Sequence, residues 1–203
     1  MDLLIEDMNA RESILKAISA NKPSLVPTPE LVIDRPSTGD INLVQLFSKT
    51  LESIGGKAIL VNGYDEIKDD IEQSEKQGHW VVNTIPEAGK TNKQLAVTLG
   101  ATQLENVYKA FIKGTIGVAE NGAIWVKESQ AVNRLLPFIC QHLVLVISAA
   151  DIVPTLHEAY RQVNIAEEGW GAFIAGPSKT ADIEQSLLIG AHGARSLLVY
   201  LVD

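Results

Sequence analysis

The stretch KAILVNGYDEIKDDIEQSEKQGHWVVN, Lys57 to Asn83, decides the fold. It opens on KAILV, a short apolar run from Lys57 to Val61, and closes on a second one, HWVVN, from His79 to Asn83. Between them, Tyr64 to Glu75 is charged and helical in period. Strand, helix, strand is the order of a parallel crossover, since a parallel neighbour is reached only through a connection long enough to carry the chain back.

Reading outward from that unit, Leu43, Val44, Phe47, Leu51 and Ile54 recur at helical spacing, with Asp40 placed to cap the start and Gly55-Gly56 to stop it. Downstream, GTIGVA (114–119) and GAIWV (122–126) flank Glu120-Asn121, and the Asn-Gly pair there predicts a hairpin. LVLVIS from Leu143 to Ser148 reads as a buried strand, Thr155 to Val163 as a helix and Ala172 to Ala175 as a strand. Ala181 to Ile189 reads as a helix closed by Gly190, and Ser196 to Val202 as the last strand. Strands apolar on both sides, alternating with helices, predict an α/β fold with a mainly parallel sheet covered by helices on both faces. Ahead of it, Arg11 to Ala20 places Ile14, Leu15 and Ile18 on one helical face, and prolines follow at 23, 27, 29 and 36. The expectation is a single domain over 1–203, with 1–39 forming a helical arm and a Pro-rich connector.

Composition narrows the function. The 203 residues include 17 basic and 25 acidic side chains, a net charge of −8, with no Lys/Arg cluster, which argues against a nucleic-acid surface. Cys140 is the single cysteine, so the chain can neither bridge to itself nor hold an iron–sulfur cluster alone. No basic leader precedes an apolar run, and no apolar stretch approaches the roughly 20 residues that cross a bilayer, so a cytoplasmic location is expected. The histidines show no metal-ligand spacing, and neither a Walker loop nor a dinucleotide fingerprint is present, so no metal or cofactor is expected.

Two segments carry candidate chemistry. Gly176-Pro177-Ser178-Lys179-Thr180-Ala181-Asp182 follows a predicted strand and opens a predicted helix. There, free backbone N–H groups, the hydroxyls of Ser178 and Thr180 and the Lys179 ammonium would bind a carboxylate or phosphate, Gly176 would let the backbone approach the ligand, and Asp182 would orient Lys179. The second is Gly190-Ala191-His192-Gly193-Ala194-Arg195, where His192 could move a proton and Arg195 could grip a carboxylate. Because this loop follows a helix, it should emerge at the opposite end of the sheet from the Gly176 loop. Glu120 is a third candidate, a carboxylate at a strand end placed for nucleophilic or acid–base work. For each, a plain helix cap, turn or solvated surface is the competing reading.

GPSKTADIE followed by GAHGAR and a terminal apolar strand resembles the C-terminal signature of the LUD-domain family, in particular its lactate utilization protein C group. GVAENGAIWV, LLPFICQHLVLVIS and the opening RESILKAISA extend the resemblance over most of the chain. Lys179 stands where the family usually has arginine, keeping the charge without the planar two-bond grip. The resemblance implies a fold like that of ribose-phosphate isomerase, glucosamine-phosphate deaminase and the CoA transferases. It also implies a non-redox part in oxidising L-lactate to pyruvate beside iron–sulfur partner proteins. Two alternatives stand: a CoA-transferase-like acyl-transfer enzyme using Glu120, since Glu120-Asn121-Gly122 resembles that family's S-E-N-G turn, and an interaction module without a ligand.

Overall fold

The structure, a computed structural model, describes residues 9–27, 42–92, 97–181 and 187–203. The chain divides into two units, Met1–Gly39 and Asp40–Asp203. In the first, helix α1 (Ala10–Ala20) starts where the Asn9 side chain accepts the Glu12 N–H at 3.0 Å, and none of its residues is buried. Of the four prolines behind it, Pro29 and Pro36 lie outside the described residues.

The second unit opens with α2 (Leu43–Ser53), whose cap is Asn42, accepting the Gln45 N–H at 3.1 Å; Asp40 lies outside the described residues. The crossover unit follows as β1 (Lys57–Val61), α3 (Asp65–Lys76) and β2 (Val81–Asn83). Next come α4 (Ala101–Leu104), β3 (Lys109–Lys113), and the hairpin of β4 (Ile116–Val118) and β5 (Ala123–Lys127). Two short helices, α5 (Glu128–Ala131) and α6 (Leu136–Ile139), lead to β6 (His142–Ser148) and β7 (Ile152–Val153). The C-terminal part holds α7 (Leu156–Gln162), α8 (Ile165–Glu168), β8 (Gly171–Ile174), β9 (Lys179–Ala181), β10 (Leu187–Ile189) and β11 (Ser196–Val202).

The central sheet has the order β1-β11-β6-β3-β2, with every neighbouring pair parallel. Its middle strand explains why both faces must be covered: Leu143, Leu145 and Ile147 of β6 pack with Phe47 and Leu51 of α2, whereas Val144 and Val146 pack with Ile67 and Ile71 of α3. A second sheet, β7-β4-β5-β8, is parallel only between β4 and β7. The fold is therefore α/β with a mainly parallel sheet, as the crossover unit implies.

One element differs. Residues 179–181 and 187–189 form the antiparallel pair β9-β10 where a helix over 181–189 is predicted; residues 182–186 lie outside the described residues. Apolar positions in so short a run satisfy either period, and pairing between the two arms decides it. In addition, β8 pairs antiparallel with β5, so the Gly176 loop does not leave a strand of the parallel sheet.

Candidate functional site

The two candidate loops meet instead of standing at opposite ends. The Ser178 N–H donates to the Ala194 carbonyl at 2.9 Å, and the Gly190 N–H donates to the Ser178 carbonyl at 3.0 Å. The Arg195 N–H binds the Gln141 carbonyl at 2.8 Å, tying the second loop to the entrance of β6. The separation argued from sequence fails because its premise, a helix between the loops, is replaced by β9-β10. Both β6 and β11 begin here, so the loops lie at the amino ends of the parallel strands.

Between them lies a cleft of about 210 Å³, lined among others by Pro137, Phe138, Phe173, Ser178, His192 and Gly193. Ser178 is half-buried and His192 exposed. The walls are largely apolar: Phe138 meets Trp170 edge-on at 6.3 Å between centroids, and Phe173 meets Trp125 at 4.7 Å. Sequence reasoning missed Pro137, Phe138 and Phe173 as walls, because an apolar residue in a strand or short helix reads first as core.

The other candidates of these loops sit differently. Gly176 lines the cleft too, but at φ +72° its added Cβ would lie 2.9 Å from the Ile54 carbonyl oxygen, so its freedom serves a close pass over the end of α2. The Lys179 side chain runs beside Gly55, where a Cβ would be 3.4 Å from its Nζ, putting a cation at the carbonyl end of α2. Lys179 and Arg195 are exposed and are not among the lining residues. Thr180 lies within β9, so neither it nor Ser178 starts a helix; Asp182 falls outside the described residues.

Glu120 occupies the β4-β5 turn, but its carboxylate is engaged. Its Oε1 accepts the Leu156 N–H at 2.6 Å, supplying an acceptor to the first turn of α7, while Thr155 Oγ1 accepts the Glu158 N–H at 3.4 Å. The turn itself is built by Asn121, whose Oδ1 accepts the Ala123 N–H at 3.0 Å, and by Gly122 at φ +68°. A Cβ on Gly122 would sit 3.1 Å from Leu51 Cα, so the turn packs directly on the α2 backbone.

On the other face of the same amino edge, Tyr108 stacks on His79 at 3.6 Å and meets His142 edge-on at 4.7 Å. His142 Nδ1 lies 2.8 Å from Ser196 Oγ. Burial, and then the charges of Lys109, Arg195 and His79, hold the His142 imidazole below its ordinary value. Burial pushes the Cys140 thiol up to about 12, which makes it an inert core group. Among the described residues no group of three or more His, Cys, Asp or Glu could hold a metal ion, and no helix is long and apolar enough to cross a membrane.

A parallel five-stranded sheet covered on both faces, with an appended mixed sheet and a cleft built by its C-terminal loops, defines an α/β protein. Residues 106–202, the part from β3 to β11 that contains the cleft, match the family described as the LUD domain. It is similar to lactate utilization protein C of Bacillus pumilus (strain SAFR-032), 35% identical over 92 residues, which are 42% of this chain and 38% of the relative. Lactate utilization protein C of Oceanobacillus iheyensis is 28% identical over 94 residues, 43% of this chain and 40% of the relative. The matches thus span about two fifths of these curated relatives' length. Among solved structures, a DUF162 family protein from Deinococcus radiodurans superposes with a TM-score of 0.60 at 18% identity, over 79% of this chain and 96% of that one, which shows the shared fold.

Proposed function

We propose that this chain acts in lactate utilization as a non-redox component, binding a small carboxylate or other anion beside iron–sulfur partner proteins. The observation that carries the reading is the similarity to lactate utilization protein C, beside a LUD-domain match over the residues that build the cleft. One cysteine, buried in the core, leaves electron transfer to other chains. The cleft supports a compact ligand: Phe138 and Phe173 would hold an apolar body, while the Ser178 hydroxyl and the His192 imidazole would meet the polar end. Lys179 and Arg195, on the same two loops, would bias the surroundings toward an anion.

Thermal unfolding with millimolar L-lactate, pyruvate or phosphate tests this. A ligand held only by the folded chain adds about 2.7 kcal/mol at a hundredfold excess over its Kd, a shift of several degrees. Ser178→Ala and His192→Ala should remove most of the shift, and Lys179→Ala and Arg195→Ala a smaller part. No shift with any acid would favour the interaction module. The acyl-transfer reading needs the Glu120 carboxylate free to attack a thioester, and its bond to the Leu156 N–H opposes that.

A further inference from the structure

A second cavity, of about 300 Å³, lies between α3 and the loop that follows β2. Helix α3 lines it with Lys68, Ile71, Glu72 and Glu75, spaced i, i+3, i+4 and i+7 and therefore on one face. The loop contributes Ala88 and Lys90, among others. Ile71 and Ala88 are buried and give the cavity an apolar floor, while Lys68, Glu75 and Lys90 are exposed. A volume of this order lies at the lower end of small-molecule sites.

The charges here are largely unused. Glu72 Oε2 lies 3.4 Å from Lys76 Nζ in an exposed i, i+4 pair. Among the described residues, no hydrogen bond or ion pair engages the side chains of Lys68, Glu75 or Lys90. Solvated surface charges mean little by themselves. These line one concavity, however, and its loop wall is held in place. The buried Asn83 accepts the Ile85 N–H at 2.9 Å through Oδ1 and donates to the Lys90 carbonyl at 3.3 Å through Nδ2. Asn92 Oδ1 accepts the Asn83 N–H and its Nδ2 donates to the Val81 carbonyl, both at 2.8 Å, tying the far end of the loop to β2. Polar groups bonded in this way fix the wall before a ligand arrives. Gly89, between the two ties, lines the cavity at φ +120°, and a Cβ there would meet no heavy atom within 4 Å, so a ligand can approach its backbone.

We infer that this cavity binds a zwitterion of dipeptide length, with the ligand ammonium on the Glu75 carboxylate and the ligand carboxylate on the Lys68 and Lys90 ammonium groups. Two cations and two carboxylates balance, which favours a ligand carrying both charges over a simple anion or cation. Length follows from the helix. Lys68 and Glu75 are 75 − 68 = 7 residues apart, about 10 Å along the axis. An α-amino acid carries its two charges on one carbon and is too short for that span. A dipeptide extends about 7 Å and leaves the remainder to the reach of the lysine and glutamate side chains. Its own side chains lie on Ile71 and Ala88, and Glu72 keeps its pair with Lys76. L-lactate has no ammonium and does not fit this cavity, so the inference stands apart from the lactate reading.

Calorimetric titration of the full chain with alanyl-alanine tests it, beside three controls: N-propanoyl-alanine, which lacks the ammonium, alanyl-alanine amide, which lacks the carboxylate, and alanine. Alanyl-alanine should bind about tenfold or more tightly than each control, as expected for a hydrogen bond to a charged group. Glu75→Gln should bring alanyl-alanine down to the level of N-propanoyl-alanine, and the double variant Lys68→Met, Lys90→Met should bring it down to that of the amide. Circular dichroism melts check that both variants fold, and the wild-type ligand series decides the matter if either does not. Equal binding of any control, wild-type affinity in both folded variants, or no heat from alanyl-alanine at millimolar concentration overturns the site.

Discussion

Replacing Glu120 with alanine separates a structural carboxylate from a nucleophilic one. In the structure the carboxylate accepts the Leu156 N–H at 2.6 Å, and α7 is only seven residues long, so this bond serves a large share of the helix's unpaired donors. Removing a side-chain acceptor from a helix start costs about 1 kcal/mol, and for a chain of this size that lowers Tm by about 2–4 °C. Glu120→Gln keeps an oxygen acceptor and loses only the charge next to the helix dipole, so its drop should be less than half as large. Melts followed at 222 nm give both values, and incubation with acyl-CoA followed by hydroxylamine reads the chemistry. The account predicts a graded loss of stability and no labelling. A Glu120→Ala melt identical to wild type, or a mass shift confined to Glu120, would refute the capping argument and promote acyl transfer.

Gly122→Ala should destabilise by about 2 kcal/mol or more, because it combines a left-handed backbone with a Cβ pressed on the Leu51 backbone; denaturant unfolding measures it. Burial, followed by Lys109, Arg195 and His79, holds the folded His142 imidazole below 6.5, so on acidification the unfolded chain takes up this proton first. Its contribution to stability is therefore fully present above about pH 6.5 and is lost as pH falls through the folded value. His142→Gln should flatten that part of the Tm against pH curve. The Cys140 thiol, pushed up to about 12, should resist a thiol reagent at neutral pH in the folded chain and react on unfolding, which a timed absorbance assay follows.

The legible parts of this fold were those where one period had no rival. LVLVIS and the final SLLVYLV are too short for buried helices and too apolar for edges, and both lie inside the parallel sheet, while the equally short KAILV forms its β1 edge. Asn121-Gly122 marked its turn because an L residue at that φ is strained. KAFIK at β3 went unread: a lysine at each end gives it the composition of a surface segment, although Ala110, Phe111 and Ile112 are fully buried. The segment after Gly176 was misread because Ser, Thr and Asp before an apolar run fit a helix start as well as a hairpin, and only the backbone bonds between Ser178, Gly190 and Ala194 choose. The cleft was half legible: its glycine, serine and histidine loops stood out, while its walls came from helix and strand residues brought together by tertiary packing.

Deleting the gene in its source organism and comparing growth on L-lactate with growth on pyruvate tests the central claim most directly. A role in lactate utilization predicts poor growth on L-lactate, unchanged growth on pyruvate and rescue by the intact gene. Equal growth on both acids, with and without the gene, would contradict it.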